Sequence, residues 1–119
     1  AVGRGRRMNG ILSGVRIPDF TRVMSGPYAT AMLADLGAEV IKVEMPGIGD
    51  EARLFAPHVE GVSSYFLLLN RGKKSVAIDL KTDEGRALVR QIARTCDVVV
   101  ENFRPGVAAR LGLDQASLR

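Results

Sequence analysis

The chain has 119 residues, of which 46% are hydrophobic and 25% charged, the composition of one ordinary globular domain. Its net charge of +4 does not indicate a nucleic-acid-binding protein, because Arg4, Arg6 and Arg7 lie in a glycine-rich tail and leave +1 for the remainder. A single cysteine, Cys96, excludes an internal disulfide, and the apolar runs are too short to cross a bilayer. We therefore expect neither nucleic acid nor membrane as a partner.

The first strand is predicted at Gly14–Phe20, although Pro18 suits only a sheet edge or a strand end. Ser25 can cap the following helix, Pro27 fits its first turn, and Gly37 fits a left-handed ending. Apolar residues recur along this helix at helical spacing: Tyr28, Met32, Leu33 and Leu36.

The middle of the chain contains two further strand patterns. Glu39–Glu44 predicts the second strand, and Gly, Pro and Asp residues predict a loop over Gly47–Gly61. The apolar run Ser63–Leu69 is interpreted as a short helix, and Ser75–Asp79 as the third strand.

Thr82 can cap the next helix, whose first turn is acidic and whose buried face is predicted to contain Leu88, Val89 and Ile92. The β-branched run Asp97–Glu101 is typical of a strand buried on both faces of a parallel sheet. Because strands and helices alternate, we predict an α/β fold with an open, mostly parallel, Rossmann-like sheet and flanking helices.

Residues 1–10 are interpreted as a tail that comes either from an expression vector or from the end of a leader sequence. Residues 11–119 are expected to form a domain that continues beyond the sequence, because a helix that begins at Asp114 is interrupted by the end of the sequence. The lone cysteine fits a reducing compartment, which is the cytoplasm, or the mitochondrial or peroxisomal matrix in a eukaryote.

Ligands of open α/β sheets bind beyond the carboxyl ends of the strands. The loops predicted there contain several basic side chains and two helix starts, a combination that suits a ligand with several phosphates. These loops are Thr21–Pro27, Met45–Arg53, Leu80–Thr82 and Asn102–Arg110, and their basic residues include Arg22, Arg53, Lys81, Arg104 and Arg110.

Other nucleotide and metal sites are not supported. The first strand-to-helix turn, Thr21–Pro27, lacks the glycines of G-x-G-x-x-G, and the sequence contains no G-x-x-x-x-G-K-[ST]. His58 and Cys96 are isolated residues, so neither a metal site nor a catalytic triad is predicted.

Three segments follow one another in a characteristic order: Asp19–Glu44, Asn70–Ser75 with Asp79–Gly85, and Val100–Gly106 with Arg110–Gly112. These segments, which together cover nearly everything after Gly10, resemble family III CoA transferases of the CaiB/BaiF type, which include formyl-CoA and carnitine-CoA transferases. Met24 departs from the pattern where the formyl-CoA enzyme has a glutamine, and Met45 departs where relatives often have an arginine.

The resemblance implies that residues 11–119 are the truncated amino-terminal part of a CoA-binding large domain. It also implies a homodimer of interlocked chains that transfers CoA between an acyl-CoA and a carboxylic acid through an aspartyl intermediate. CoA thioesters are then substrates, and no permanently bound cofactor is expected. The nucleophilic aspartate is expected beyond residue 119, so no catalytic residue is assigned and this segment alone is expected to be inactive. Two alternatives stay open: racemisation of α-methylacyl-CoA esters by an acid/base pair, and a fragment that only binds CoA or only folds.

The resemblance also implies which residues contact CoA. The turn at Met24 and Ser25 is expected to lie against CoA, Ile78–Lys81 to flank the adenosine, Asn102–Arg104 to border the nucleotide, and Arg110 to pair with a phosphate. The expected contact residues are Met24, Ser25, Ile78, Asp79, Leu80, Lys81, Asn102, Phe103, Arg104 and Arg110.

Overall fold

The computed structural model describes residues 10–119, so the predicted tail lies outside the described residues except for Gly10. The elements follow in chain order: β1 (Arg16–Asp19), α1 (Ser25–Asp35), β2 (Glu39–Glu44), a 3₁₀ turn (Glu51–Leu54), β3 (His58–Val59), β4 (Val62–Ser63), α2 (Ser64–Asn70), β5 (Lys74–Ala77), α3 (Asp83–Arg94), α4 (Val107–Arg110) and α5 (Gln115–Leu118).

The main sheet of the described chain is parallel, with strand order β1-β2-β5. Ile17 lies opposite Val40, and Val43 lies opposite Val76. The predicted α/β fold is therefore confirmed. The bounds of β2 match the prediction, whereas β1 is shorter than Gly14–Phe20 and β5 lies slightly before Ser75–Asp79.

The fourth strand predicted at Asp97–Glu101 is wrong as a strand, because this segment forms one isolated parallel bridge, between Asp19 and Val100. The Val100 amide donates to the Pro18 carbonyl at 3.2 Å, and the Phe20 amide donates to the Val100 carbonyl at 2.8 Å. Pro18 has no N–H with which to continue this ladder toward Val98. The expected burial on both faces is also wrong, since Val98 is 49% exposed.

Helix α1 begins one residue earlier than a cap at Ser25 would allow. Met24 occupies the N-cap position, and the Tyr28 amide donates to its carbonyl at 2.9 Å, so Ser25 is already helical and the predicted serine cap is wrong. The predicted ending at Gly37 is confirmed. Gly37 has a φ of 105°, and the amides of Gly37 and Ala38 bond back into the last turn of the helix.

Three of the four apolar residues predicted along α1 face away from the sheet, whereas the fourth, Leu33, packs against the buried residues Ile17 and Val40 and their neighbours. Tyr28, Met32 and Leu36 are each more than 40% exposed. The buried positions of this helix are Pro27, Thr30 and Ala31, which are small enough for close packing against the strands. The helical spacing therefore predicted the element but not its buried face.

The segment predicted as a loop at Gly47–Gly61 contains the 3₁₀ turn and the strand β3, which pairs with β4 in a short antiparallel hairpin. The predicted short helix is confirmed as α2, since the Ser63 hydroxyl accepts a hydrogen bond from the Phe66 amide at 3.1 Å.

The cap predicted for α3 is confirmed, because Thr82 Oγ1 accepts from the Gly85 amide at 3.0 Å. Val89 is fully buried and Ile92 packs against the core, but Leu88 is 47% exposed and was wrongly placed on the buried face. The helix predicted from Asp114 is confirmed as the short α5.

Apolar clusters cover both faces of the sheet. The first cluster lies on the α3 side and contains Phe20, Val43, Ile78, Val89 and Leu113. The second cluster lies on the α1 side and contains Ile17, Ala38 and Val40. None of the helices within residues 10–119 has the length and apolar character that crossing a membrane requires.

Candidate functional site

A cleft of about 180 Å³ opens beyond the carboxyl ends of β1, β2 and β5, where ligands of open α/β sheets bind. Its apolar wall includes Phe20, Val43, Ile78, Leu80 and Phe103, which extend the first cluster to the surface. Arg22, Lys42 and Lys81 add positive charge, while Glu44 and Asp50 add negative charge. This first cleft therefore offers an apolar surface beside charged groups.

A second cleft, of about 600 Å³, adjoins the first and shares Arg22, Phe103 and Val107 with it. It lies between the start of α1 and the loop that precedes α4. Its other lining residues include Met24, Ser25, Asn102 and Arg104.

The structure brings together most of the residues that were expected to contact CoA. Ile78, Asp79, Leu80, Lys81 and Phe103 line the first cleft, and Phe103 reaches both. Met24, Ser25, Asn102 and Arg104 line the second. Arg110 stands apart from these residues, because it is an exposed side chain at the end of α4 and lines neither cleft.

The loop position of Arg53 predicts a basic side chain that binds a ligand, but its guanidinium group is engaged in contacts within the protein. Its Nε and Nη2 donate to the Glu44 carboxylate at 2.9 and 2.7 Å. Its guanidinium carbon lies 3.8 Å from the centroid of the Phe66 ring. Arg53 thus fastens the loop after β2 to α2, and the basic side chains that line the clefts are Arg22, Lys42, Lys81 and Arg104.

Asn102 has its side-chain amide engaged by protein. Its Oδ1 accepts from the Arg22 amide at 3.0 Å, and its Nδ2 donates to the Arg22 carbonyl at 2.9 Å. The side chain thereby joins the loop before α4 to the turn between β1 and α1. Phe103 both packs in the core and lines the clefts, since its ring centroid lies 6.4 Å from that of Phe20.

The turn between β1 and α1 has an unusual backbone. Val23 has a φ of 71°, in the left-handed region that β-branched residues rarely adopt. Its amide donates to both carboxylate oxygens of Asp50, at 3.1 and 3.2 Å. Asp50 in turn accepts from Lys42 Nζ at 2.8 Å, and both side chains of this ion pair are almost completely buried.

Glu44 lies at the end of β2, on the wall of the first cleft. Burial raises the pKa of its carboxyl, but hydrogen bonds from Arg53, Ser75 and the Asp50 amide outweigh that effect and lower the pKa to about 2. Glu44 is therefore a fixed anion across the physiological range.

A second buried ion pair lies under the start of α1. Lys73 Nζ donates to Asp19 Oδ2 at 2.9 Å and to the Pro27 carbonyl at 3.0 Å, while Thr30 Oγ1 donates to the same Asp19 oxygen at 2.6 Å. Burial lowers the pKa of Lys73, and the Asp19 charge offsets part of that effect. These contacts fix the start of α1 against β1 and against the loop between α2 and β5.

Residues 12–119 match the family model described as CoA-transferase family III. The chain belongs to CoA-transferase family III. Within the described residues of this family member, no group of three or more His, Cys, Asp or Glu side chains is placed to hold a metal ion.

Over the aligned residues, this chain is about half identical to two named relatives. It is 53% identical over 103 residues to a succinyl-CoA:glutarate CoA-transferase of Mus musculus, covering 86% of this chain and 24% of the relative. It is 49% identical over 106 residues to a formyl-CoA:oxalate CoA-transferase of Rhodopseudomonas palustris, covering 88% of this chain and 25% of the relative. The chain thus spans about a quarter of the length of these relatives.

The fold agrees with that of a crystal structure of a CAIB/BAIF family protein from Brucella suis. The TM-score is 0.85 at 44% identity, over 92% of this chain and 30% of that one. A family III protein thus has, in this region, the parallel α/β arrangement predicted from the sequence.

Sequence reasoning missed the polar residues that hold the site together: Asp19, Lys42, Asp50 and Lys73. One signal was available for Lys42. A strand with helices on both faces has little room for a solvated charge, so a lysine in its middle requires a buried partner. The identity of that partner, Asp50, depends on how the loop after β2 folds back, which local patterns do not reveal.

Proposed function

We propose that the full gene product containing this sequence transfers CoA between an acyl-CoA and a free carboxylic acid, with residues 11–119 supplying part of the CoA site. The observation that carries the proposal is that the three motif segments meet around the two adjoining clefts. The named relatives support it, since both are CoA-transferases acting between acyl-CoA and carboxylate partners by name.

The clefts suit the parts of CoA. The apolar wall formed by Ile78, Leu80 and Phe103 can accept the adenine ring, and Lys81, Arg22 and Arg104 can meet phosphates at its rim. The backbone at Met24 and Ser25 borders the second cleft, toward which the pantetheine arm would extend. Arg110 is assigned to a phosphate outside the clefts.

The proposed chemistry is covalent catalysis by an aspartate that lies beyond residue 119. Its carboxylate attacks the thioester carbonyl and CoA thiolate leaves, which forms a mixed anhydride. The thiolate then attacks the aspartyl carbonyl, the donor acid leaves as a carboxylate, and an enzyme-bound CoA thioester results. The acceptor carboxylate attacks that thioester and displaces CoA thiolate, which forms a second mixed anhydride. The thiolate then attacks the acyl carbonyl of the acceptor, and the aspartate leaves as a free carboxylate while the new acyl-CoA is released.

We also expect the full gene product to be a homodimer. Light scattering during size-exclusion chromatography measures its oligomeric state.

The proposal is tested with the full gene product, succinyl-CoA and acetyl-CoA as donors, and glutarate and oxalate as acceptors. Mass spectrometry should detect a new acyl-CoA that depends on both substrates, and hydroxylamine should trap the enzyme-bound thioester. Proton exchange at Cα of a 2-methylacyl-CoA in D₂O, without acyl transfer, would instead establish the racemase. Absence of both reactions, together with absence of CoA binding, would refute the enzymatic assignment.

The binding assignment is tested by Arg110→Ala in the same protein. CoA affinity should fall by about 1–3 kcal/mol, the scale of a charge-assisted hydrogen bond. Arg94→Ala is the matched control, because Arg94 is an exposed arginine in the last turn of α3. Equal affinities of the two variants in calorimetry would remove Arg110 from the site.

A further inference from the structure

We propose that Asp50 is a positioning residue for CoA binding, which holds the turn before α1 in the backbone conformation that sets Met24 and Ser25 against the second cleft. The inference rests on the proposed function. Asp50 borders the first cleft, but its carboxylate is buried and bonded to protein groups, so the role assigned to it acts through the turn. It is carried by the contacts that Asp50, Lys42 and Asn102 make with this turn.

The Asp50 carboxylate is saturated with hydrogen bonds from three directions. It accepts from the Val23 amide at 3.1 Å, from the Ala52 amide at 3.0 Å and from Lys42 Nζ at 2.8 Å. Asp50 is only 1% exposed, so each of these bonds forms in a site with little competing water. The carboxylate is therefore a fixed anchor.

The bond to Val23 is made at a strained residue. A φ of 71° is unfavourable for valine, whose two γ-methyl groups crowd the backbone in the left-handed region. Such conformations persist only where the surrounding structure over-determines them, and they concentrate at ligand sites. The charge-assisted bond from Val23 to Asp50 supplies that constraint.

The two residues before Val23 in the turn are also held by side chains from other elements. Lys42 Nζ donates to the Thr21 carbonyl at 3.0 Å, and Asn102 binds both the amide and the carbonyl of Arg22. Side chains from β2, from the loop after β2 and from the loop before α4 therefore hold three consecutive residues. Met24 follows directly, as the N-cap of α1, and its position depends on these anchors.

The decisive comparison removes the hydrogen-bond acceptor without leaving a buried charge unpaired. Asp50→Asn/Lys42→Met keeps a side-chain oxygen for the Val23 amide, whereas Asp50→Ala/Lys42→Met removes it. Both variants lose the ion pair and the Lys42 bond to Thr21, so their difference isolates the acceptor at residue 50. Asp50→Ser/Lys42→Met is the reserve variant if the alanine variant does not fold, because its hydroxyl is too short to replace the carboxylate.

The alanine variant should bind CoA about tenfold more weakly than the asparagine variant, the effect of one hydrogen bond made by a charged or strongly polar group. KM for the acyl-CoA should rise by the same factor while kcat changes less. Adding Val23→Gly to the alanine variant should restore most of the affinity, because glycine adopts the left-handed conformation without an anchor. Equal affinity of the asparagine and alanine variants, or no rescue by glycine, would overturn the proposal.

Hydrogen exchange of residues 21–28 reads the turn without any ligand. Exchange should be faster in the alanine variant than in the asparagine variant, and equal rates would refute the positioning role. If exchange is faster in the alanine variant as expected, but the parent protein does not bind CoA, the proposed function would be refuted and Asp50 would remain the anchor of the turn.

Discussion

Two buried ion pairs show how the fold compensates charges that are removed from water. Lys42 with Asp50 and Lys73 with Asp19 are ion pairs whose side chains are at most 2% exposed. Each aspartate also accepts a hydrogen bond from a backbone amide or a hydroxyl group, and each lysine also donates one to a backbone carbonyl, which offsets the loss of hydration. Removing one partner alone would leave an uncompensated charge, which is why the double variants above are needed.

Glu44 should make the stability of the protein depend on pH in the acid range. In the unfolded chain its carboxyl takes up a proton near its usual pKa of 4.5, whereas in the folded protein its pKa is about 2. The unfolded state therefore binds more protons between these values, and the contribution of Glu44, complete above pH 4.5, is lost as the pH falls toward 2.

Urea unfolding at several pH values measures this effect. Between pH 4.5 and pH 2, the unfolding free energy of the parent protein should fall further than that of Glu44→Gln. The difference between the two falls should be up to about 3 kcal/mol, at about 1.4 kcal/mol per pKa unit. Glu60→Gln, at an exposed position in the hairpin turn, should keep the parent profile. Parallel profiles for the parent protein and Glu44→Gln would show that Glu44 titrates normally.

The residues lining the clefts were largely predictable because they follow the carboxyl ends of parallel strands. Lys81 comes shortly after β5, and Met24 comes shortly after β1, so the topology brings both to one edge of the sheet. Asp50 was not predictable in the same way. Its importance arises from contacts with Val23 and Lys42, which are 27 and 8 residues away in the sequence.

At the scale of elements, two helices begin where a side-chain oxygen accepts a hydrogen bond from a backbone amide of the first turn. The cap predicted at Thr82 is confirmed for α3, and Ser63, for which no cap was predicted, caps α2. Ser25 does not cap α1, because the left-handed Val23 changes the direction of the chain just before it. The segment predicted as the fourth strand forms one bridge and no longer ladder, because Pro18 has no amide N–H to continue the pairing.

Thr82→Ala should destabilise the protein by about 1 kcal/mol, since the free Gly85 amide at the start of α3 loses its acceptor. Thr82→Ser retains the hydroxyl and should stay within a few tenths of a kcal/mol of the parent protein. Equilibrium urea unfolding distinguishes the two. Equal destabilisation by both substitutions would show that the threonine methyl group, and not the cap, matters.

At the scale of the whole molecule, the clusters on the two sheet faces are expected to differ in function. Phe20, Val43 and Ile78 belong to the first cluster and also line the first cleft. Ile17 and Val40 belong to the second cluster, beneath α1, and are absent from the residues lining the described clefts. Stability should depend on both faces, and CoA binding mainly on one.

Ile17→Ala and Ile78→Ala form a matched pair, because both side chains are at least 95% buried. Each should lower the unfolding free energy by about 2–5 kcal/mol. Under conditions where both remain folded, only Ile78→Ala should weaken CoA binding, as measured by calorimetry. Equal loss of affinity in the two variants would show that the cleft responds to general loosening of the fold.

The sequence by itself determined the parallel α/β fold, the strand β2, the cap of α3, and the edge of the sheet at which the clefts open. These features depend on residue periodicity and on contacts between neighbours in the chain. Only the tertiary structure decided that α1 buries its small residues, that Pro18 stops the fourth strand, and that Asp50 anchors Val23. Those outcomes depend on which groups meet across the sheet, where long-range packing and hydrogen bonding outweigh local preference.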